Sequence, residues 1–248
     1  MRGGAEGWQT SHGDGVIPRI FIGYDERESV AYHVLAHSIM RRSSMPVSIT
    51  PLIRSQLTNA SIYTRERGPL ESTDFSMTRF LVPYLCDYEG YALFLDCDIL
   101  CQTDLVALFD LVRRDPHAHA AWVVQHDYTP RGTTKFLGQP QTAYPRKNWS
   151  SVMLFDTAQC RMLTPGYVDT ASGQDLHRFA WLQPGQTLGA LPLTYNWLVG
   201  EYDDNPDAAM LHYTLGGPWF ESTQACPQAD RWFAAKTAME SSACLSIS

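Results

Sequence analysis

Two carboxylates one residue apart, Asp96 and Asp98, end the run Tyr91-Ala92-Leu93-Phe94-Leu95. Hard oxygen donors this close suit Mg²⁺ or Mn²⁺, and such an ion in turn suits a diphosphate. The residues before them are too few for a helix and apolar throughout, which predicts a strand buried on both faces with the acids at its carboxyl end. In open α/β sheets, ligands bind beyond that end of the strands. Extended backbone would bring Asp96 and Asp98 to one face, because side chains alternate along a strand.

Two other readings share these residues. Strand-end aspartates can simply cap the following turn. One phosphatase and phosphotransferase superfamily also follows a hydrophobic strand with Asp-x-Asp-x-Thr/Val. Leu100 stands at the deciding position here, with no hydroxyl to hold a phosphate.

The elements that must position the pair can be read outward from it. Val16 to Gly23 predicts a first strand, and the glycine at its end permits close backbone approach. Acids at 25, 26 and 28 suit a helix start, Val30, Val34, Leu35 and Ile39 repeat at helical spacing, and Arg41-Arg42 suit its last turn. Pro46 precedes a second strand, Val47 to Ile53, and such a β-helix-β unit points to a parallel sheet. Residues 54–74 read as loop with a short helix. Ser76 to Leu85 reads as a helix capped by Asp74 or Ser76 and interrupted near Pro83. Beyond the central strand come a helix from Asp104 to Arg114 and strands at Ala120 to Gln125 and Ser151 to Phe155. A helix from Gln174 to Leu182, a short strand from Ala208 to His212 and a helical region from Phe220 to Met239, broken at Pro227, complete the chain. Residues 126–147 carry three prolines and four cations (Arg131, Lys135, Arg146 and Lys147), notable in a chain with only three lysines. A loop of that length predicts a lid or binding loop.

Composition narrows the partners. The chain has 248 residues, 44% hydrophobic and 18% charged, with a net charge of −7. That is ordinary for a globular protein, and the negative charge gives nucleic acid no general purchase. No apolar run approaches a membrane span, so stable membrane insertion is not expected. Residues 1–15 are polar and glycine-rich and read as a disordered leader, leaving 16–248 as a single domain. Six cysteines without paired spacing read as free thiols in a reducing cytoplasm.

Several stretches, in order, resemble the family 8 glycosyltransferases, the retaining group that includes glycogenin and bacterial lipopolysaccharide galactosyltransferases. Phe94-Leu95-Asp96-Cys97-Asp98 is similar to the family's metal motif, and Thr78-Arg79-Phe80-Leu81-Val82-Pro83 to its arginine-bearing helix. Asn148-Trp149-Ser150-Ser151-Val152-Met153-Leu154 resembles its Asn-Ser-Gly-Val-Met-Leu segment. Gly173-Gln174-Asp175 and Tyr195-Asn196-Trp197 resemble Asp-Gln-Asp and Tyr-Asn-Phe. His212-Tyr213-Thr214-Leu215-Gly216-Gly217-Pro218-Trp219 is similar to His-x-x-Gly-x-x-Lys-Pro-Trp. The matches cover about Ile20 to Phe220.

The resemblance implies a Rossmann-like α/β fold of the GT-A type, a mostly parallel mixed sheet flanked by helices. It implies transfer of a hexose, with retained configuration, from UDP-glucose or UDP-galactose to a saccharide, lipid-linked or protein acceptor. Asp96, Asp98 and His212 would hold Mn²⁺ or Mg²⁺, the histidine favouring Mn²⁺. Gly23, Tyr24 and Asp25 would meet the nucleoside, Asp25 reading uracil. Arg79, Asp96, Gly216 and Gly217 would meet the diphosphate or sugar, and Gln174 and Asp175 would line the reacting side of the sugar. Two departures stand out. Gly216 follows His212 by four residues, one more than the family spacing, and Gly217 occupies the pyrophosphate lysine's place. Lys147 or Arg146 is expected to supply that charge. A nucleotidyltransferase or phosphatase, and a nucleotide-sugar binding protein without activity, remain the alternatives. A covalent intermediate would need a carboxylate beside the anomeric carbon. The sequence places none there, Asp175 being the only candidate near the matched sugar residues, so front-side displacement is expected.

Overall fold

The computed structural model describes residues 17–68, 71–128, 134–135, 139–140 and 146–241. The first half contains β1 (Arg19–Gly23), α1 (Ser29–Arg42), β2 (Ser48–Leu52), α2 (Arg54–Asn59), α3 (Val82–Leu85), β3 (Tyr91–Leu95), β4 (Ile99–Cys101) and α4 (Val106–Arg113). Then come β5 (Ala121–Val123), β6 (Thr134–Lys135), β7 (Gln139–Pro140), β8 (Val152–Asp156), α5 (Pro165–Thr170) and α6 (Gly173–His177). The chain closes with β9 (Leu188–Ala190), β10 (Trp197–Leu198), β11 (Met210–His212) and α7 (Ala229–Ser241). The expected leader, most of the loop expected over 126–147 and the last seven residues lie outside the described residues.

The main sheet runs β2-β1-β3-β8-β5-β9, with β8 antiparallel to β3 and β5 and the other pairings parallel. It is the mixed, mostly parallel α/β sheet that the sequence predicts. β3 and β8 lie at its centre because neither has a polar face to give to water. Leu93, Phe94, Leu95, Val152, Met153 and Leu154 are all completely buried. Each such side chain contributes about 1.5–3 kcal/mol through burial. β2 is an edge strand, which is why it tolerates Pro51.

A second, three-stranded sheet, β10-β11-β4, stands beside the first. Its core joins Leu100 and Leu211 to Val34 of α1 and Trp232 of α7, fastening both helices over it. β4 and β11 pair antiparallel with His212 opposite Ile99. Among the described residues no helix is long and apolar enough to cross a membrane.

Four local expectations change. β3 stops at Leu95, and Cys97-Asp98 form a turn into β4, so strand alternation does not bring the two acids together. Thr78–Leu81 is a 3-10 turn and Pro83 sits in the first turn of α3, where its missing N–H breaks nothing. α6 ends at His177, two residues before Phe179 takes a left-handed φ of 60°. The region after Phe220 begins with a 3-10 turn, Glu221–Thr223, and α7 starts only at Ala229, past Pro227.

Candidate metal and nucleotide site

The acids, the histidine and the arginine meet because of strand register. Asp96 N donates to Ser151 O at 3.0 Å, continuing the β3–β8 ladder by one residue. Tyr213 N donates to Asp98 O at 2.9 Å, continuing the β4–β11 ladder. His212, opposite Ile99, therefore lies beside Asp98, with Nε2 3.2 Å from Asp98 Oδ1. One ligand atom from each of Asp96, Asp98 and His212 falls within 4.8 Å of the others.

His212 is held in one orientation. Asn196 Nδ2 donates to Asn148 O at 3.2 Å and to Ser151 Oγ at 2.7 Å, while Ser151 Oγ donates to the same carbonyl at 2.7 Å. A carbonyl accepts only, so the amide's oxygen must face the other way, towards His212 Nδ1 at 2.8 Å. That nitrogen carries the hydrogen, and in the neutral ring Nε2 presents its lone pair to the acids. Burial works against a charge on His212, but Asp98 prevails and makes the ring more basic than free histidine.

Arg79 is no surface ion pair. It is buried, its Nη1 lies 2.8 Å from Asp96 Oδ1 and 2.9 Å from Ser150 O, and its guanidinium lies over the rings of Phe75 and Phe94. Burial, with the charge of Asp98, pushes the Asp96 carboxyl up to about 7 against the pull of Arg79. Glu28 adds to this crowding. It is buried close to Cys97, and burial together with Asp98 and Asp25 raises its carboxyl far above the usual range.

The donor set fits a divalent ion. Asp96 Oδ1 and Asp98 Oδ1 are buried, and they face Arg79 Nη1 and His212 Nε2 respectively, both at the cluster itself. Two buried carboxylates and an aligned imidazole converging in one niche form an N,O ligand set suited to Mn²⁺ or a similar metal.

The other sequence candidates are distributed around this cluster. Gly23 ends β1 with the Phe75 ring packed where a Cβ would stand. Tyr24 packs edge-on against Tyr32. Asp25 is buried, but Arg27 N, Nε and Nη2 and Asp74 N all donate to its two oxygens. Reading a base would require displacing some of these internal donors. Gly216 adopts a φ of 109°, and the Trp219 ring leaves no room for a Cβ on Gly217. Arg146 turns away from the acids, donating to Arg178 O and lying over Trp149 and Phe179, whereas Lys147 is buried. Gln174 and Asp175 are exposed on α6, and Asp175 accepts from Ser172 Oγ at 2.7 Å as part of that helix's cap. No hydrogen bond or ion pair joins either residue to the metal cluster among the described residues.

Asn196, Ser151 and Glu28 carry no site role in the sequence reading. Asn196 and Ser151 lie inside recognised segments, but their pairing with His212 depends on a register that spans most of the chain.

The α/β fold is that of the GT-A glycosyltransferases. GlyE of Streptococcus pneumoniae TIGR4, a glycosyltransferase, aligns at a TM-score of 0.58 with 15% identity, over 91% of this chain and 63% of its own. The present chain thus spans less than two thirds of GlyE. The galactosyltransferase LgtC, solved with donor and acceptor sugar analogues, gives 0.54 and 13%, over 89% and 95% of the two chains. Mouse xyloside xylosyltransferase 1 gives 0.54 and 12%, over 79% and 97%. No protein-family model matches the sequence. The chain belongs to the family of Protein CDI of Arabidopsis thaliana, with 48% identity over 221 residues, 86% of this chain and 84% of that protein.

Proposed function

We propose that this protein is a metal-dependent retaining glycosyltransferase of the family 8 type. It would transfer a hexose from UDP-glucose or UDP-galactose to a saccharide, lipid-linked or protein acceptor. The observation that carries the reading is the cluster of Asp96, Asp98 and His212 beyond the carboxyl end of β3 in a GT-A fold. The free thiols of Cys86, Cys97, Cys101, Cys160 and Cys226 support a reducing, cytoplasmic setting.

Asp96, Asp98 and His212 would hold Mn²⁺, which when bound supplies positive charge to the departing diphosphate. Asn196 keeps the imidazole aimed, and Arg79 keeps Asp96 in place while adding a buried positive charge beside the phosphates. Lys147 or Arg146 would supply the charge of the missing lysine; Arg146 also donates to Arg178 O and lies over two aromatic rings. A covalent route would need a carboxylate about 3 Å from the anomeric carbon. Asp175, exposed and tied to Ser172, favours the front-side route, in which the leaving phosphate oxygen takes the acceptor's proton.

The test is thermal unfolding with UDP, GDP and ADP, each with and without Mn²⁺, for wild type and Asp98→Ala. A ligand at about 100 times its Kd adds about 2.7 kcal/mol, a shift of a few degrees. The expected result is a shift with UDP that needs Mn²⁺ and disappears in Asp98→Ala. Absence of a shift with every nucleotide would remove the reading. Because internal donors occupy Asp25, the same experiment also decides whether uracil is the base recognised.

A further inference from the structure

His126 follows β5 at the sheet edge that carries the metal cluster. Two of its features are unusual. The ring is only 6% exposed, and its Nε2 has no hydrogen-bond partner among the described residues. A buried polar nitrogen left unsatisfied is destabilising unless something comes to meet it.

The rest of the ring is firmly held. Nδ1 lies 2.8 Å from Tyr202 Oη, and the Trp149 indole N–H donates to the His126 carbonyl at 2.9 Å. Tyr128 and Tyr202 flank the imidazole at centroid distances of 6.1 and 5.8 Å. Tyr128 is tied back through its hydroxyl, which accepts from Asn148 Nδ2 at 2.8 Å. Asn148 is also the residue whose carbonyl fixes Asn196, so this aromatic niche and the metal cluster share one support.

Strand order says what would reach the niche. β1, β3 and β5 run in the same direction, so Asp25, Asp96 and His126 lie along one edge in that order. Neighbouring strands are about 4.8 Å apart, and β8 lies between β3 and β5. The strand of His126 is therefore about 10 Å from that of Asp96, on the side away from β1. A nucleotide sugar with its base over β1 and its diphosphate at the acids would extend its sugar in this direction. Burial, with His212 nearby, lowers the His126 ring to about 3, so it is neutral near pH 7. A neutral nitrogen between aromatic walls suits a hydroxyl better than a phosphate.

We infer that His126 Nε2 hydrogen-bonds a hydroxyl of the transferred sugar, in a niche walled by Tyr128 and Tyr202. This rests on the nucleotide-sugar reading above, and the test separates the two. Calorimetric titrations of UDP, UDP-glucose and UDP-galactose, all with Mn²⁺, compare wild type with His126→Phe, which keeps the ring's size and removes both nitrogens. The expected result is a loss of about tenfold for at least one UDP-sugar with UDP affinity unchanged. If His126→Phe binds UDP and both UDP-sugars as the wild type does, the niche is wrong and the nucleotide site stands. If the wild type binds none of the three, both fall. A second measurement needs no variant. With Mg²⁺ in place of the paramagnetic ion, the ¹⁵N resonance of His126 Nε2 should move on adding the UDP-sugar and stay put with UDP. A resonance that ignores the UDP-sugar while the nucleotide binds overturns the inference.

Discussion

Asn196 Oδ1 accepts the Nδ1 hydrogen of His212 at 2.8 Å, and this one bond turns the ring's free nitrogen towards Asp98. Groups that orient a ligating histidine typically contribute 10–100-fold to metal affinity. Asn196→Leu should therefore weaken Mn²⁺ binding by about 10–100-fold in a calorimetric titration. Unaltered affinity would mean that His212 does not depend on this bond.

Arg79→Met should destabilise the protein by up to about 3–5 kcal/mol in urea unfolding, because it removes the cation that offsets the buried Asp96 carboxylate and forces that group to take up a proton. Arg79→Met/Asp96→Asn should recover part of that loss. Mn²⁺ should stabilise Arg79→Met more than the wild type, since the ion replaces a missing positive charge. Equal stabilisation of the two proteins would refute the coupling.

Gly23→Ala tests the packing behind the cluster. The new methyl group would overlap the Phe75 ring, which lies under the Arg79 guanidinium. Overpacking of this kind costs about 1–3 kcal/mol. The melting temperature should fall, and Mn²⁺ affinity with it if the arginine shifts.

Asp25 gives a pH dependence of known sign. Burial alone would raise its carboxyl, but hydrogen bonds from Arg27 and Asp74 hold it below the usual range. A depressed folded-state value contributes stability that is complete above the unfolded value, about 3.9, and fades as pH falls through the folded one. The stability gap between wild type and Asp25→Asn should thus be widest near neutrality and shrink on acidification towards pH 3. A gap that widens there would contradict the ion pair.

The fold and the core of the site were legible because their signals are local. The apolar run ending at Asp96, the glycine closing β1 and the histidine ending β11 each speak through their immediate neighbours. What stayed hidden depends on distant partners. Strand alternation predicts the pairing of Asp96 and Asp98, but β3 ends at Leu95 and β4 begins at Ile99, and the turn between them positions the acids because β11 is there to pair with β4. The resemblance marks Arg79 as a site residue, but its burial over the Phe75 and Phe94 rings and its pairing with Asp96 depend on distant segments. Asp25 and Arg27 are neighbours in sequence, yet Asp74 completes the enclosure from another segment. His126 shows no signal at all until Tyr202, far along the chain, takes up its Nδ1.

The two ladder bonds described above, Asp96 to Ser151 and Asp98 to Tyr213, join the cluster to different sheets. They also set a schedule. During synthesis the acids emerge well before His212, and domains fold as units. A nascent chain therefore lacks the assembled trio. An ion held by the cluster would register the completion of folding and staple the segment of Asp96 and Asp98 to the later segment of His212.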